Sequence, residues 1–348
     1  MNKQLPIQLQ NTVCSLTVDL YGGAITDFHL HHNLVNPLSF RFREDEMPAN
    51  NKGGACYQGH FICGGRWGAP SAGEMLAGLP NHGEPANIVW SLREQTSQSL
   101  AMQVHAAKEG LQIHRTIKLA HASAMIHVSE TIQNINPLGR LYQYVQHATI
   151  AAPFLTAGTQ VNCNATKGFD YMHINDAARP VLQWPEVYDA GGNIFSLQES
   201  GHMYNSVFSF TVSNNALYGW LTAYDPHHRL LLGYVWPAKD YPWINLWQHY
   251  EGNEPKYRGL EFGNTGLHQP FKEIIAGNKL ELFGKKTVEY LDAGESVTKS
   301  YSAFLLPVEK HFSGVAELLV ENNGLYLKEA GTPVKTFIGT INFESVEK

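Results

Sequence analysis

Apolar and polar residues alternate with a period of two over much of the chain. Leu16, Val18 and Leu20 are separated by Thr17 and Asp19, and Gly22-Gly23 ends the run. Leu100, Met102 and Val104 repeat the pattern, followed by Leu111, Ile113, Ile117 and Leu119. Ile126, Val128 and Ile132 then alternate with Ser129, Thr131 and Gln133. Successive side chains of a strand point to opposite faces, so each run predicts a strand with one face on a core and the other toward water or a cleft. Asn136-Pro137-Leu138-Gly139 and Asp292-Ala293-Gly294 supply turn chemistry between such runs, the proline having the fixed φ that a first central turn position requires. Many strands, frequent turns and few helical stretches predict an all-β sandwich or barrel. One late stretch reads otherwise. Val315, Leu318 and Leu319 have helical spacing before Asn322-Asn323-Gly324, which predicts a short helix over 315–321.

The chain has 348 residues, of which 43% are hydrophobic and 16% charged. That supports a large core in one big all-β domain or two small ones. No internal repeat, low-complexity tract or linker interrupts it, and the residues after Pro307 read as a terminal appendage. A net charge of −6 without a basic run argues against a nucleic-acid partner, whose phosphates are held by clustered Lys and Arg. The first residues lack the apolar run of a secretory signal, and no stretch is long and apolar enough to span a bilayer, so no membrane partner and a cytoplasmic location are expected. Cys14, Cys56, Cys63 and Cys163 fit no zinc-finger spacing and read as small core residues. His29, His31 and His32 invite a metal reading, but no third ligand follows from spacing; no metal is expected.

Three segments combine glycine, histidine and aromatic residues. Gly59–Gly68 and Asn81-His82-Gly83-Glu84-Pro85 carry Arg66 and His82 in stretches with little side-chain volume. These read as loops that approach a ligand, or as ordinary turns with both side chains solvated. In the third, Trp236-Pro237-Ala238-Lys239-Asp240-Tyr241-Pro242-Trp243, the prolines favour an exposed loop or edge strand. Its aromatics suit either a sugar platform or a buried cluster.

The order of these motifs resembles the aldose 1-epimerase (galactose mutarotase-like) superfamily. Tyr21–Phe28 resembles its early Gly-Gly-Ala turn, Gly65-Arg66 its Gly-Arg motif, and Asn81-His82-Gly83 its His-Gly motif. Gln146-His147 resembles the strand with the second histidine, and Gly259–Gly266 the late strand with the catalytic glutamate. The resemblance covers roughly residues 10–307. It implies one mutarotase-like β-supersandwich domain over 1–348, with 308–348 as the appendage. It also implies interconversion of the anomers of a small-molecule sugar by acid–base catalysis, without a cofactor. Glu261 would be the base and His147 the acid, with Arg66, His82, Asp240 and Trp243 binding substrate; Asp225 competes with Asp240 for the acidic binding role. Other readings are a hexose-6-phosphate epimerase holding its phosphate with Arg66, Arg229 and Arg258, a lyase-like glycan enzyme, and a non-catalytic carbohydrate-binding protein using Trp243, Trp247 and Arg66.

Overall fold

The computed structural model describes residues 5–51, 53–175 and 181–343. Two large antiparallel sheets face each other. The larger has 13 strands, and its middle runs in the order His60–Gly65, Arg140–Ala151, Glu254–Gly263, Trp243–Glu251 and Ser206–Val212. The smaller has eight strands, among them Leu111–Leu119, Met125–Asn134 and Ser296–Pro307. The only α-helices among the described residues are Ala72–Leu76 and Phe271–Ala276, and no helix among them is long and apolar enough to cross a membrane. The architecture is the all-β sandwich that the alternation predicts.

Alternation gives the middle strands of the larger sheet two different faces. Ile62, Ala148, Ile150, Leu260, Phe262, Leu246 and Phe208 join the core between the sheets. The intervening residues, such as Phe61, Cys63, Val145 and Tyr257, form a separate cluster on the outer face. The outer face thus mixes apolar with polar side chains, and both kinds are buried, which is why the alternation is weak in these strands.

A buried polar bridge crosses the core. Arg115 replaces an apolar residue on the inward face of its strand and donates to Glu130 Oε1 at 2.6 Å and to the Gly23 carbonyl at 2.5 Å. Glu130 also accepts from Gln146, whose carbonyl oxygen lies 3.0 Å from His60 Nε2. Arg115 and Glu130 are 1% and 0% exposed, so each ion depends on its partner for compensation. The bridge ties the smaller sheet to the strand that carries His147.

Two expectations are corrected. Residues Val315–Glu321 form a strand, the first of a three-stranded sheet with Gly324–Glu329 and Lys335–Thr340. A register shift between Val315 and Glu317 adds one residue to the strand, and such a bulge gives buried positions the three-residue spacing of a helix. Asn322 and Asn323, with φ of 49° and 64°, are the hairpin turn rather than a helix end. This small sheet packs Val315, Leu318, Leu325 and Leu327 against Trp220, Leu231 and Phe304 of the smaller large sheet. The Trp236–Trp243 segment is not an exposed loop: Trp236 and Trp243 are fully buried strand residues flanking a short turn. Cys14, Cys56, Cys63 and Cys163 are all buried and free.

Candidate active site

The outer face of the larger sheet carries a row of side chains in register. His147 pairs with Phe61 on one side. The neighbouring pairs Gly259↔Thr149 and Phe262↔Gln146 place Glu261 opposite His147 on the other. Asn245 and Ser209 continue the row. His147 Nε2 and Glu261 Oε1 lie 3.3 Å apart, with 9% and 1% of their side chains exposed. Phe61 stacks on the His147 ring at 4.3 Å, and His147 Nδ1 lies 3.1 Å from Thr149 Oγ1.

The two Gly-rich loops meet above this row. His82 N–H donates to the Gly68 carbonyl at 3.0 Å, and Gly64 N–H donates to the His82 carbonyl at 3.1 Å. Gly68 N–H donates to His82 Nδ1 at 3.2 Å, which leaves the imidazole proton on Nε2. The junction requires glycine. A Cβ on Gly83, where φ is +81°, would lie 2.0 Å from the Gly64 carbonyl oxygen, and one on Gly65 would lie 2.3 Å from Glu109 Cγ.

Together these elements line a cleft of about 300 Å³. Its aromatic walls come from Phe40, Phe42, Tyr57, Phe61, Trp67 and Trp247, and its polar groups include Asn81, His82, His147, Glu261 and His268. An apolar pocket with a few convergent polar groups suits a small organic ligand. Flat aromatic walls match the C–H faces of a sugar ring. Glu261 Oε2 and His268 Nε2 are buried and make no hydrogen bond within the protein, so a hydroxylated ligand finds partners there.

Burial sets the charge state. It raises the Glu261 carboxyl well above its ordinary range, with the Trp67 indole hydrogen bond acting against it. It holds His147 well below the ordinary histidine value, with nearby His82 acting in the same direction. Both shifts favour the uncharged forms, so in the free cleft the pair shares one proton that rests on Glu261. Burial, reinforced by His268, also lowers His82 to about 3, and burial lowers His268 to about 4.

The cleft brings together Glu261, His147 and His82 of the residues expected from sequence. It does not include Arg66, Asp240, Trp243 or Asp225. Arg66 turns away from the cleft, donates to Glu74 of the Ala72–Leu76 helix and lies 5.6 Å from the centre of the Phe271 ring. Asp240 lies at a hollow over the smaller sheet with Lys239 and Ser300, and its carbonyl accepts from Lys299 at 2.9 Å. Trp243 shares the outer face with Glu261 but is covered by Gly266, Phe169 and Phe283. Asp225 accepts from Thr156 at 2.7 Å and from the His228 N–H at 2.8 Å, as a turn anchor.

Sequence reasoning missed His268 and assigned no role to Trp67. His268 lies two residues beyond the Gly259–Gly266 motif, and Trp67 directly follows Arg66, so both are near recognised signals.

No family model and no curated protein sequence matches the chain. Solved structures do match. A galactose mutarotase related enzyme from Lactobacillus acidophilus superposes with a TM-score of 0.61 at 10% identity, over 88% of this chain and 99% of that one. The chain has the galactose mutarotase-like fold. A galactose mutarotase-like protein from Lactobacillus casei gives 0.59 at 12% identity, over 87% and 100%. Another from Clostridium acetobutylicum gives 0.58 at 11%, over 88% and 98%. At such identities the likeness concerns the mutarotase-like fold and leaves the chemistry to the residues.

Glu109 supports this region from behind. It is fully buried, accepts from the Glu84 N–H at 3.2 Å and fills the space beside Gly65. Burial, reinforced by Glu84 and opposed by Arg66, raises its carboxyl to about 7 from an ordinary 4.5. Between those values the folded chain holds a proton that the unfolded chain has released. Stability from this group is thus full below pH 4.5 and falls as pH rises through about 7. The gap corresponds to about 3 kcal/mol. Glu109→Gln is therefore expected to gain about 2–3 kcal/mol relative to wild type between pH 5 and pH 8. Urea melts of both proteins at the two pH values measure it, and a constant difference would remove this group from the pH dependence.

Proposed function

We propose that the protein interconverts the anomers of a neutral reducing sugar, as an aldose 1-epimerase-type isomerase, with Glu261 and His147 as its acid–base pair. The observation that carries this reading is the 3.3 Å contact between the two groups on the wall of an aromatic cleft.

Ring opening removes a proton from the anomeric hydroxyl and adds one to the ring oxygen. Rotation of the freed carbonyl and reclosure then give the other anomer. A pair that shares one proton performs both transfers with no net change in charge. Sugar hydroxyls donating to Glu261 favour its carboxylate form. The proton then passes to His147, Glu261 takes the proton from the anomeric hydroxyl, and His147 protonates the ring oxygen. Reclosure returns both protons. His82 Nε2–H and the unpaired His268 Nε2 hold hydroxyls, and Trp247 and Phe42 offer apolar faces to the ring.

A neutral substrate fits the charge of the cleft. Among the described residues its lining includes no Lys or Arg, whereas phosphate recognition uses such cations. Arg229 pairs with Glu309 at 3.7 Å on the surface, and Arg258 is buried against Leu197, Glu199 and Ser200. With Arg66 held by Glu74, none of the three arginines that a phosphosugar reading would use reaches the cleft.

The pH profile of kcat/KM follows from the shared proton. The one-proton state begins at the lowered His147 value and ends at the raised Glu261 value. The profile should be flat through the range in which ordinary carboxylates and histidines titrate. A bell with limbs near 4.5 and 6.5 would contradict the assignment. Anomer equilibration of freshly dissolved sugars by wild type and Glu261→Gln tests the function itself.

A further inference from the structure

A second hollow adjoins the cleft at His268. The Tyr171 ring, which lines the hollow, stacks on the His268 ring, which lines the cleft, with centroids 3.3 Å apart. The hollow, of about 460 Å³, is lined by Tyr171, Met172, His173, Ile174, Asn175 and Gln269. Gln269 directly follows His268, so one backbone segment supplies groups to both spaces.

The chemistry of the hollow is that of a sugar subsite. Lys279 Nζ donates to Asn175 Oδ1 at 2.6 Å and to Gln269 Oε1 at 3.4 Å. Both amide oxygens are thereby turned to the lysine, which leaves the two NH₂ groups as donors toward hydroxyl or ring oxygens. His173 Nε2 lies 3.9 Å from Asp170 Oδ2, and Asp170 is itself fixed by Ser206 and by Tyr204 at 2.9 Å. Tyr171 and Met172 add apolar surface beside these donors. Among the described residues the lining includes no Lys, Arg, Asp or Glu, with Lys279 behind two of its amides.

We infer that this hollow takes the sugar unit glycosidically attached to the reducing sugar in the cleft, so that the substrate is a reducing oligosaccharide. The inference rests on the proposed anomer-interconverting role of the cleft. The reducing unit keeps its free anomeric hydroxyl at Glu261 and His147. The next unit, linked through a hydroxyl on the far side of the ring, passes His268 and lies against Tyr171 within reach of Asn175, His173 and Gln269.

The test follows anomer equilibration by one-dimensional NMR for glucose, galactose and disaccharides linked through O3, O4 or O6 of a reducing glucose or galactose. For at least one linkage, kcat/KM should exceed that of the corresponding monosaccharide by about tenfold or more, the effect of one or two added hydrogen bonds. The double variant His173→Ala, Asn175→Ala should bring that ratio down toward one. Acceleration of the monosaccharides without any disaccharide preference would overturn the inference while leaving the proposed function intact. So would a preference that persists in the double variant. Acceleration of no sugar at all would remove the anomer-interconverting role and the subsite with it.

Discussion

Glu261→Gln is expected to lower kcat for anomer interconversion by about 10²–10⁴-fold. The amide retains the size and hydrogen-bonding reach of the carboxyl but can neither accept the anomeric proton nor return it. The fold should be indifferent to the change. Glu261 is 1% exposed on its strand and burial favours its uncharged form, so glutamine replaces a group that is already neutral in the free protein. Unfolding free energies of variant and wild type from urea melts should therefore agree within about 1 kcal/mol. A variant that folds normally and stays within threefold of wild-type activity would exclude Glu261 from proton transfer.

The second large effect concerns stability. Arg115→Met leaves Glu130 buried without its cation and frees the Gly23 carbonyl of its donor. Removal of one partner from a buried ion pair costs roughly 3–5 kcal/mol. A double variant, Arg115→Met with Glu130→Gln, removes the uncompensated charge while keeping an amide for Gln146 and should recover part of that loss. Chemical denaturation at pH 7 resolves the two cases. Additive losses in the double variant would mean that the pair is not coupled.

The strands of the smaller sheet were legible because they bury one face and expose polar residues on the other, as in Ile126–Gln133. The middle of the larger sheet was harder to read. Its core face carries Leu260 and Phe262 while its outer face carries Phe61 and Tyr257 among the polar residues, so apolar side chains on both faces blur the alternation. The bulge between Val315 and Glu317 imitated helical spacing for a different reason: a single added residue changes the period without ending the strand.

His82, His147 and Glu261 could be singled out by motif, but their convergence depends on strand neighbours. His147 and Glu261 meet because Arg140–Ala151 and Glu254–Gly263 pair in one particular register, which local sequence does not specify. Trp243 and Trp247 show the limit of composition. They lie on the same strand and the same face, yet the Asn264–Leu267 turn covers the first, and only the second lines the cleft. Arg66 was misplaced for a related reason. Gly65 has a φ of +88° and the Ala72–Leu76 helix brings Glu74 beside the guanidinium, so a partner eight residues away decides where it points.

The most direct test of the central claim is the rate at which freshly dissolved α-anomers of neutral reducing sugars equilibrate with and without the wild-type protein, followed by one-dimensional NMR. The Glu261–His147 pair predicts a first-order rate that rises in proportion to protein concentration for at least one neutral sugar. A rate equal to that of buffer across the panel, with saturation transfer showing those sugars bound in the same samples, would contradict catalysis and leave the cleft as a carbohydrate-binding site.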